Sequence, residues 1–463
     1  MSEVRNYDKY ADLGYTGLNR QGNYVYEEFL TQLRWPQAAK VYKEMADNDP
    51  TIGAILYMAT QLVRKVNWDV EPASDSPQDQ EAAEFLYSCM HDMETSWKDT
   101  IDEVLSMFIY GWSFHEIVYK VRKGPQKAQP KYHSMHKDGR IGWRKLPIRS
   151  QQTLYGWVFD DETGDVIAFE QQAAPTYEIV HIPMSKGLLF RTQRQVNNPE
   201  GRSLLRNAYR PWYFKKRIEE IEGIGIERDL AGLPVITPPE GVDIWDRSNT
   251  EYSHYKSQAE QIVRNVRRDR SEGLVLPHGW DFKLLSTGGT RQFDTNAIIN
   301  RYDQRIAITM LADIVMLGAD KVGSFALANV KKSLLAASLE AMLQGIADTL
   351  NKQAVRQLFE LNKFDGLTGL PKITCGHIEM PDLNELGNYF KATGLTLNGD
   401  MELENYVRQA ASMPLLTQEQ FEAMQASKET ASPKETDLSA DSAKDTAQAV
   451  SGDSSEEGEP NDE

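Results

Sequence analysis

After Asp49-Pro50 the apolar residues Ile52, Ile55, Leu56, Ala59, Leu62 and Val63 fall on one face at helical spacing, the pattern of an amphipathic helix. Asp49 is a capping residue type and Pro50 suits the first helical position, so the helix start is marked twice. Trp68 and Val70 predict a strand, ended by the polar turn 72–77. Two more helices are expected at about 78–92 and 97–109, stopped by Gly111. Phe114, Glu116, Val118 and Lys120 then alternate with His115, Ile117 and Tyr119, which predicts one strand. Leu154, Gly156 and Val158, the turn D-D-E-T-G-D, and Val166, Ala168 and Glu170 predict a hairpin, with a further strand at 178–182.

The second half of the chain has helical periodicity. A helix is expected over 203–229, with Phe214, Ile218 and Ile221 on one face and a bend at Pro211. The stretch 232–241, with Pro234, Pro238 and Pro239, cannot continue it. A very polar helix at 252–270 follows, then a short β return at 274–276 and 282–285. Ile298, Tyr302, Ile306, Met310 and Ile314 step by four and predict a helix over 294–317. A glycine-broken loop separates it from the longest helix, 325–362, roughly 55 Å long at the standard rise, with Leu335, Leu339, Met342, Ile346 and Leu350 as its stripe. Residues 372–415 predict a short strand and small helices. The first 35 residues, rich in Tyr, Asn, Gly and Arg with no clean period, read either as an arm that orders on a partner or as an untidy terminus.

Composition narrows the function classes. A chain of 463 residues suggests roughly two to three domains. Its two cysteines, Cys89 and Cys375, do not make a disulfide scaffold, and free thiols in a reducing compartment are expected. No run approaches the ~20 apolar residues of a membrane span, and the N-terminus M-S-E-V-R-N-Y-D lacks the apolar core of a signal peptide. The net charge of −17 is uneven: residues 428–463 hold eleven acidic against three basic residues. Beyond about 425 the composition cannot bury a core and predicts disorder. The rest is mildly acidic, unlike a nucleic-acid binder with a basic face.

Tests for chemistry are negative. His115-Glu116 has no second histidine four residues on, and His133 and His136 have no cysteine nearby, so no metal site is expected. Asp160, Asp161, Glu162 and Asp165 lack calcium-loop spacing and sit where a hairpin turn needs Asp and Gly. Gly223-x-Gly225 is not a dinucleotide fingerprint and Gly288-Gly289-Thr290 is not a phosphate loop. No catalytic residue, cofactor or enzyme activity is expected. A nucleic-acid enzyme using Asp160, Asp161 and Asp165 is the reading that these tests disfavour. Three basic groups remain: Arg202, Arg206, Arg210, Lys215, Lys216 and Arg217; Arg264, Arg267, Arg268 and Arg270; and Lys331 with Lys332. Each is a solvated helix face, a set of intersubunit ion pairs, or a transient phosphate contact.

The order of motifs resembles the portal proteins of tailed bacteriophages, most closely the Mu-like branch. The matching segments are D-N-D-P-T-I-G-A-I-L at 47–56, W-D-V-E-P at 68–72, Y-G-W-S-F-H-E-I-V-Y at 110–119 and the W-V-F-D hairpin. G-R-S-L-L-R-N-A-Y-R-P-W-Y-F-K at 201–215, A-G-L-P at 231–234, and the helix, glycine loop and long helix of 294–362 complete the set. The resemblance covers roughly 40–365 and implies an α+β, mainly helical portal fold with antiparallel hairpins in a wing and a long channel-side helix.

By position it implies an arm at 1–40, a wing at 41–202, a first stem helix at 203–230 and a clip at 231–251. A second stem helix at 252–272, a wing return at 273–370, a crown-like region at 371–424 and an acidic tail at 425–463 follow. A tunnel loop at 317–325 would face DNA through Gly318, Asp320, Lys321, Gly323, Ser324 and Phe325. Arg206, Arg210, Trp212, Lys215, Lys216, Arg264, Arg267 and Arg268 would make stem or subunit contacts, and Leu233, Pro234, Pro238 and Pro239 would form the clip. The implied protein is a ring, usually of twelve copies, at one capsid vertex. It would pass double-stranded DNA non-specifically during packaging and ejection, and meet the terminase large subunit, capsid and scaffolding proteins and a head–tail adaptor. It would assemble in the host cytoplasm and end in the virion, away from membranes. Another head-completion or adaptor protein is the alternative.

Overall fold

The computed structural model describes residues 14–231, 233–246, 248–265, 275–285, 294–310, 325–378, 388, 390–393, 400–410 and 413–430. The chain forms two units, 1–379 and 380–463. The first opens with a small hairpin, β1 (Arg20–Gln21) and β2 (Tyr24–Val25), and then runs α1 (Gln37–Asn48), α2 (Pro50–Arg64), β3 (Trp68–Glu71), α3 (Pro77–His91), α4 (Trp97–Val104) and α5 (Met107–Tyr110). Seven strands follow before any further long helix: β4 (Trp112–Glu116) through β5 (Val118–Val121), β6 (Ile141–Lys145), β7 (Ile148–Arg149), β8 (Leu154–Phe159), β9 (Val166–Gln172) and β10 (Ile179–Pro183). An eighth, β11 (Gly187–Arg191), leads to α6 (Tyr209–Ala231), β12 (Leu233–Thr237), α7 (Thr250–Asn265), β13 (Asp281–Leu285) and α8 (Thr295–Thr309). The long helix is α9 (Phe325–Thr349), one π-helical stretch (Leu350–Val355) and α10 (Arg356–Glu360), followed by β14 (Lys372–Cys375). The second unit contains α11 (Met401–Ala410) and α12 (Gln418–Thr430), joined by Asn405, whose side chain both donates to and accepts from the Leu416 backbone.

The α+β class holds, with all described strand pairs antiparallel. Asp49 caps α2 as its residue type suggests: its carboxylate accepts from the backbone N–H of Thr51 and Ile52, both at 3.0 Å. The β8–β9 hairpin forms with β10 beside it. Asp160 accepts from the N–H groups of Glu162 and Thr163 at its tip, which holds its carboxyl below the usual range and spends it as a turn residue.

Four expectations need correction. The strand expected across 114–120 is two strands in different sheets: β4 lies between β11 and β7, while β5 pairs with β6. The break falls at Ile117, whose buried side chain and N–H, donated to the Lys186 carbonyl at 2.8 Å, take it out of the alternation. The expected arm packs on its own chain from residue 14 onward. The Asn23 carbonyl accepts from the Trp157 N–H at 2.9 Å, and its amide donates to Glu170 at 2.8 Å. Pro211 sits in the first turn of α6 and not inside the helix, at a position where a backbone N–H has no helical acceptor to lose, so the expected cause of a bend is removed. The strand β14 belongs to the first unit, not to a crown-like region, because it pairs with β3 and is clamped by the amide of Asn351 through both Ile373 backbone groups.

Two apolar cores result. The larger gathers α1–α5 around the long helix through Ile52, Leu86, Phe108, Leu339, Leu343 and Leu358. The smaller is aromatic: Trp112 meets Trp157 edge-on at 5.2 Å and Phe114 stacks on Phe169 at 4.6 Å. Between them the chain crosses itself at two glycines. Gly111 has φ +90° and Gly201 φ +56°, and a Cβ on Gly201 would lie 2.2 Å from the Gly111 carbonyl oxygen. This crossing positions the run into α6. Gly201→Ala should therefore lower the unfolding free energy by about 2–4 kcal/mol through backbone strain and a main-chain clash, read as a lower denaturant midpoint with an unchanged slope.

Candidate functional site

The family resemblance puts the stem and clip at 203–272, from α6 to α7, and puts β13 and α8 in the wing return; the structure instead pairs α6 with α8 in one excursion. The two helices run antiparallel: Phe214 stacks on Tyr302 at 6.4 Å, Lys215 binds Asp303 at 2.7 Å, and the Thr295 hydroxyl donates to Glu222. Between them the chain turns through a two-stranded ribbon, with Leu233 opposite Leu285 and Thr237 opposite Asp281. Pro234 is tolerated there because a two-stranded ribbon leaves one edge of each strand free of ladder bonds. Helix α7 packs on β12. Nearby, the exposed Trp245 ring lies 3.8 Å from the Lys256 ammonium and Tyr255 meets Trp280 edge-on.

The excursion is tied to the body by a buried charge cluster. Lys215 is 2% exposed, and its ammonium donates to Asp49 at 2.9 Å and Asp303 at 2.7 Å. The Thr51 hydroxyl donates to the same Asp303 oxygen at 2.7 Å. Burial alone would lower the Lys215 pKa, but the hydrogen bonds it donates to Asp303 and Asp49 outweigh it and the net shift is upward. One cation faces two carboxylates, and Asp49 is further stabilised by the N-terminal amides and dipole of α2.

Several residues expected at subunit contacts are spent inside the chain. Lys215 and Trp212 are buried. Arg206 donates to Glu28, and Lys216 pairs with Glu44 while lying 5.5 Å from the Trp212 ring. Arg210 is exposed and packs over Phe214 at 6.0 Å. Arg264 is exposed, with Glu260 one turn away at 4.0 Å. Arg267 and Arg268, and the tunnel-loop residues Gly318, Asp320, Lys321, Gly323 and Ser324, lie outside the described residues; Phe325 opens α9. Leu233 and Pro234 form the ribbon, and Pro238 and Pro239 leave it, with Pro239 against Gly279. Sequence reasoning placed Ile221 on one face of the helix but missed that it is exposed (66%), next to exposed Ile224 (51%) on the same face, with Ile226 (37%) exposed on another side of α6. Gly223 and Gly225 lie between them with open space where a Cβ would be. Isoleucines flanked by glycines in a helix otherwise rich in Glu was the signal available.

Among the described residues no group of three or more His, Cys, Asp or Glu is placed to hold a metal, and no helix is long and apolar enough to cross a membrane.

Lys215→Met should cost about 3–5 kcal/mol, the typical penalty for stranding buried carboxylates, and Lys215→Met with Asp303→Asn should recover part of it in urea unfolding. The raised lysine pKa sets the sign with pH. The cluster contributes fully below about pH 10.4, the unfolded lysine value, and is lost as pH rises through the higher folded value. Thermal melting in alkaline buffer should show that loss in the parent chain and not in the double variant.

A family model described as the portal protein of Mu bacteriophage matches residues 39–398. Among solved structures, a chain in the neck of an empty gene transfer agent particle is 11% identical with a TM-score of 0.47, over 81% of this chain and 94% of that one. A chain of the native gene transfer agent virion gives 11% identity and 0.47, over 82% and 94%. An HK97 family phage portal protein from Corynebacterium diphtheriae gives 10% and 0.39, over 73% and 94%. Membership rests on the family model, which spans most of the chain, and not on these distant likenesses. The chain belongs to the family of the Mu bacteriophage portal protein.

Proposed function

We propose that this portal protein closes into a ring, of twelve copies as the family resemblance implies, around a channel for double-stranded DNA at one capsid vertex. In this reading α6 and α8 are the stem, and the clip is the ribbon β12–β13 with α7. That revises the expectation for α7, since α8 is the helix that runs antiparallel along α6 while α7 packs on β12. A tunnel loop at 317–325, as the family resemblance implies, would face the DNA. The clip would meet the terminase large subunit during packaging and the head–tail adaptor afterwards, and the wing would face capsid and scaffolding proteins. Assembly would take place in the host cytoplasm and the product would reside in the virion. The role is structural and not catalytic.

The observation that carries the ring is the exposed isoleucine pair of α6. Ile221 and Ile224 share one face of α6, with open space at Gly225 on the same side, and invite a close, dry helix contact that a single chain leaves in water. Ring closure needs heterologous contacts, in which one surface meets a different surface of the next copy. DNA must also slide, and a body without a dense basic face avoids the many phosphate contacts that would hold it.

Negative-stain microscopy and mass photometry of the purified full chain should show closed rings; a stable monomer at micromolar concentration would overturn the reading. Ile221→Asp with Ile224→Asp should leave the melting temperature near that of the parent, because both side chains are already exposed, and should remove most rings.

A further inference from the structure

The α6–α8 pair carries a second surface that its own chain leaves incomplete. Arg210 on α6 and Arg301 and Arg305 on α8 surround the Phe214–Tyr302 stack. Arg210 lies 6.0 Å from the Phe214 centroid, and Arg301 and Arg305 lie 5.4 and 5.8 Å from that of Tyr302. All three arginines are exposed, and none has a carboxylate within ion-pair distance among the described residues. The aromatic faces hold the guanidiniums by cation–π attraction and so lower the entropy lost when an anion binds. Three like charges gathered on two rings repel one another, and an anionic partner relieves that repulsion.

The same helix carries the complementary charge. It opens with Arg210, Lys215, Lys216 and Arg217, and from Glu219 onward it holds Glu219, Glu220, Glu222, Glu227 and Asp229 against the single cation Arg228. Glu219 and Glu220 are about half exposed and make only loose contacts along their own helix, at 3.9 Å to Lys215 and 3.7 Å to Arg217. From Arg210 to Glu219 and Glu220 is about 14 Å along the axis. A neighbour shifted by that interval brings its carboxylates to the arginine-capped stack, beside Ile221 and Ile224. We propose that the arginine-ringed Phe214–Tyr302 stack receives Glu219 and Glu220 of a second copy of this chain, which makes a polar, directional contact that sets the stagger between neighbours. This inference rests on the ring reading above and adds the partner residues and their sign. Carboxylates of a second copy are favoured over DNA phosphate because the acids are already present on the adjoining surface at a repeatable spacing, and because a phosphate grip would oppose sliding.

The test is a charge exchange in the full-length protein, scored as the fraction of chains in rings by mass photometry and electron microscopy. R301E with R305E, and separately E219K with E220K, should each reduce the ring fraction by roughly tenfold at low salt, where surface charges act most strongly. The four-fold exchange should restore most of it. R301Q with R305Q should give an intermediate loss that high salt no longer distinguishes from the parent. Thermal melting of each variant separates assembly from folding, and where E219K disturbs Lys215 the glutamine pair decides alone. If the parent forms rings and both the R301E/R305E and R301Q/R305Q variants form them equally well, this contact is wrong while the ring reading stands. If the parent forms no ring, the ring reading itself fails, and this inference with it. If the arginine variants assemble normally but lose affinity for duplex DNA, the patch is a DNA contact and the inference is overturned. Failure of the well-folded exchange variant to recover rings also overturns it.

Discussion

The Lys215 ammonium between Asp49 and Asp303 is the constraint on which the rest of the molecule depends. It joins three elements far apart in sequence: the start of α2, the first turns of α6 and the middle of α8. The apolar contacts beside it are few: Trp212 and Ile306 join the larger core, and Ile55 with Ala307 forms a small separate cluster with Met58 and Met310 at its margin. Side chains of that kind slide past one another at little cost. A buried cation sharing two carboxylates does not, because a shift of one turn would leave charges unpaired in a dry site. The cluster contributes modest net stability and strong registry. It fixes where the helix pair leaves the body, and hence where the ribbon, α7 and the outer half of α6 are held.

The β-rich region before α6 leads into that pair. Its aromatic core is closed by the strands on one side and by the first hairpin on another, through Asn23 and Glu170. The Gly111–Gly201 crossing lets the chain leave the sheet at β11 and enter α6 with no side chain between the two main chains. Beyond the Lys215 cluster the character changes. Buried residues give way to exposed Ile221 and Ile224 and loosely held glutamates, and Arg210, Arg301 and Arg305 near the cluster have no ion pair among the described residues. A stiff inner end and an unsatisfied outer end are what a subunit of a closed assembly requires.

Much of this was legible where the controlling interaction is local. The Asp49-Pro50 helix start, the D-D-E-T-G-D turn, the stop at Gly111 and the stripe of the long helix each depend on residues a few positions apart. The partners of the cations did not follow from the sequence. Lys215, Lys216 and Arg206 stand in one basic run, and a run of charge on a helix has the same pattern whether it faces water, a neighbour or its own chain. Lys215 turned inward because Asp49 and Asp303, 166 and 88 residues away, arrive at the same point. Helix α7 carries the periodicity and polarity expected of a second stem helix. Which helix lies along α6 depends on shape and contact, and α8 occupies that place.

The sequence by itself determined the α+β class, most helix and strand positions, the lack of a recognisable catalytic constellation and, through the order of its motifs, the family. Caps, turns and periodicity act within a few residues and leave their mark in the letters. Only the tertiary structure decided which charges are buried and which are offered, that one expected strand divides at Ile117 between two sheets, and that the chain returns from its ribbon along α8. Those outcomes depend on burial and on pairs separated by tens to hundreds of residues, where one residue type has opposite roles according to what folds against it.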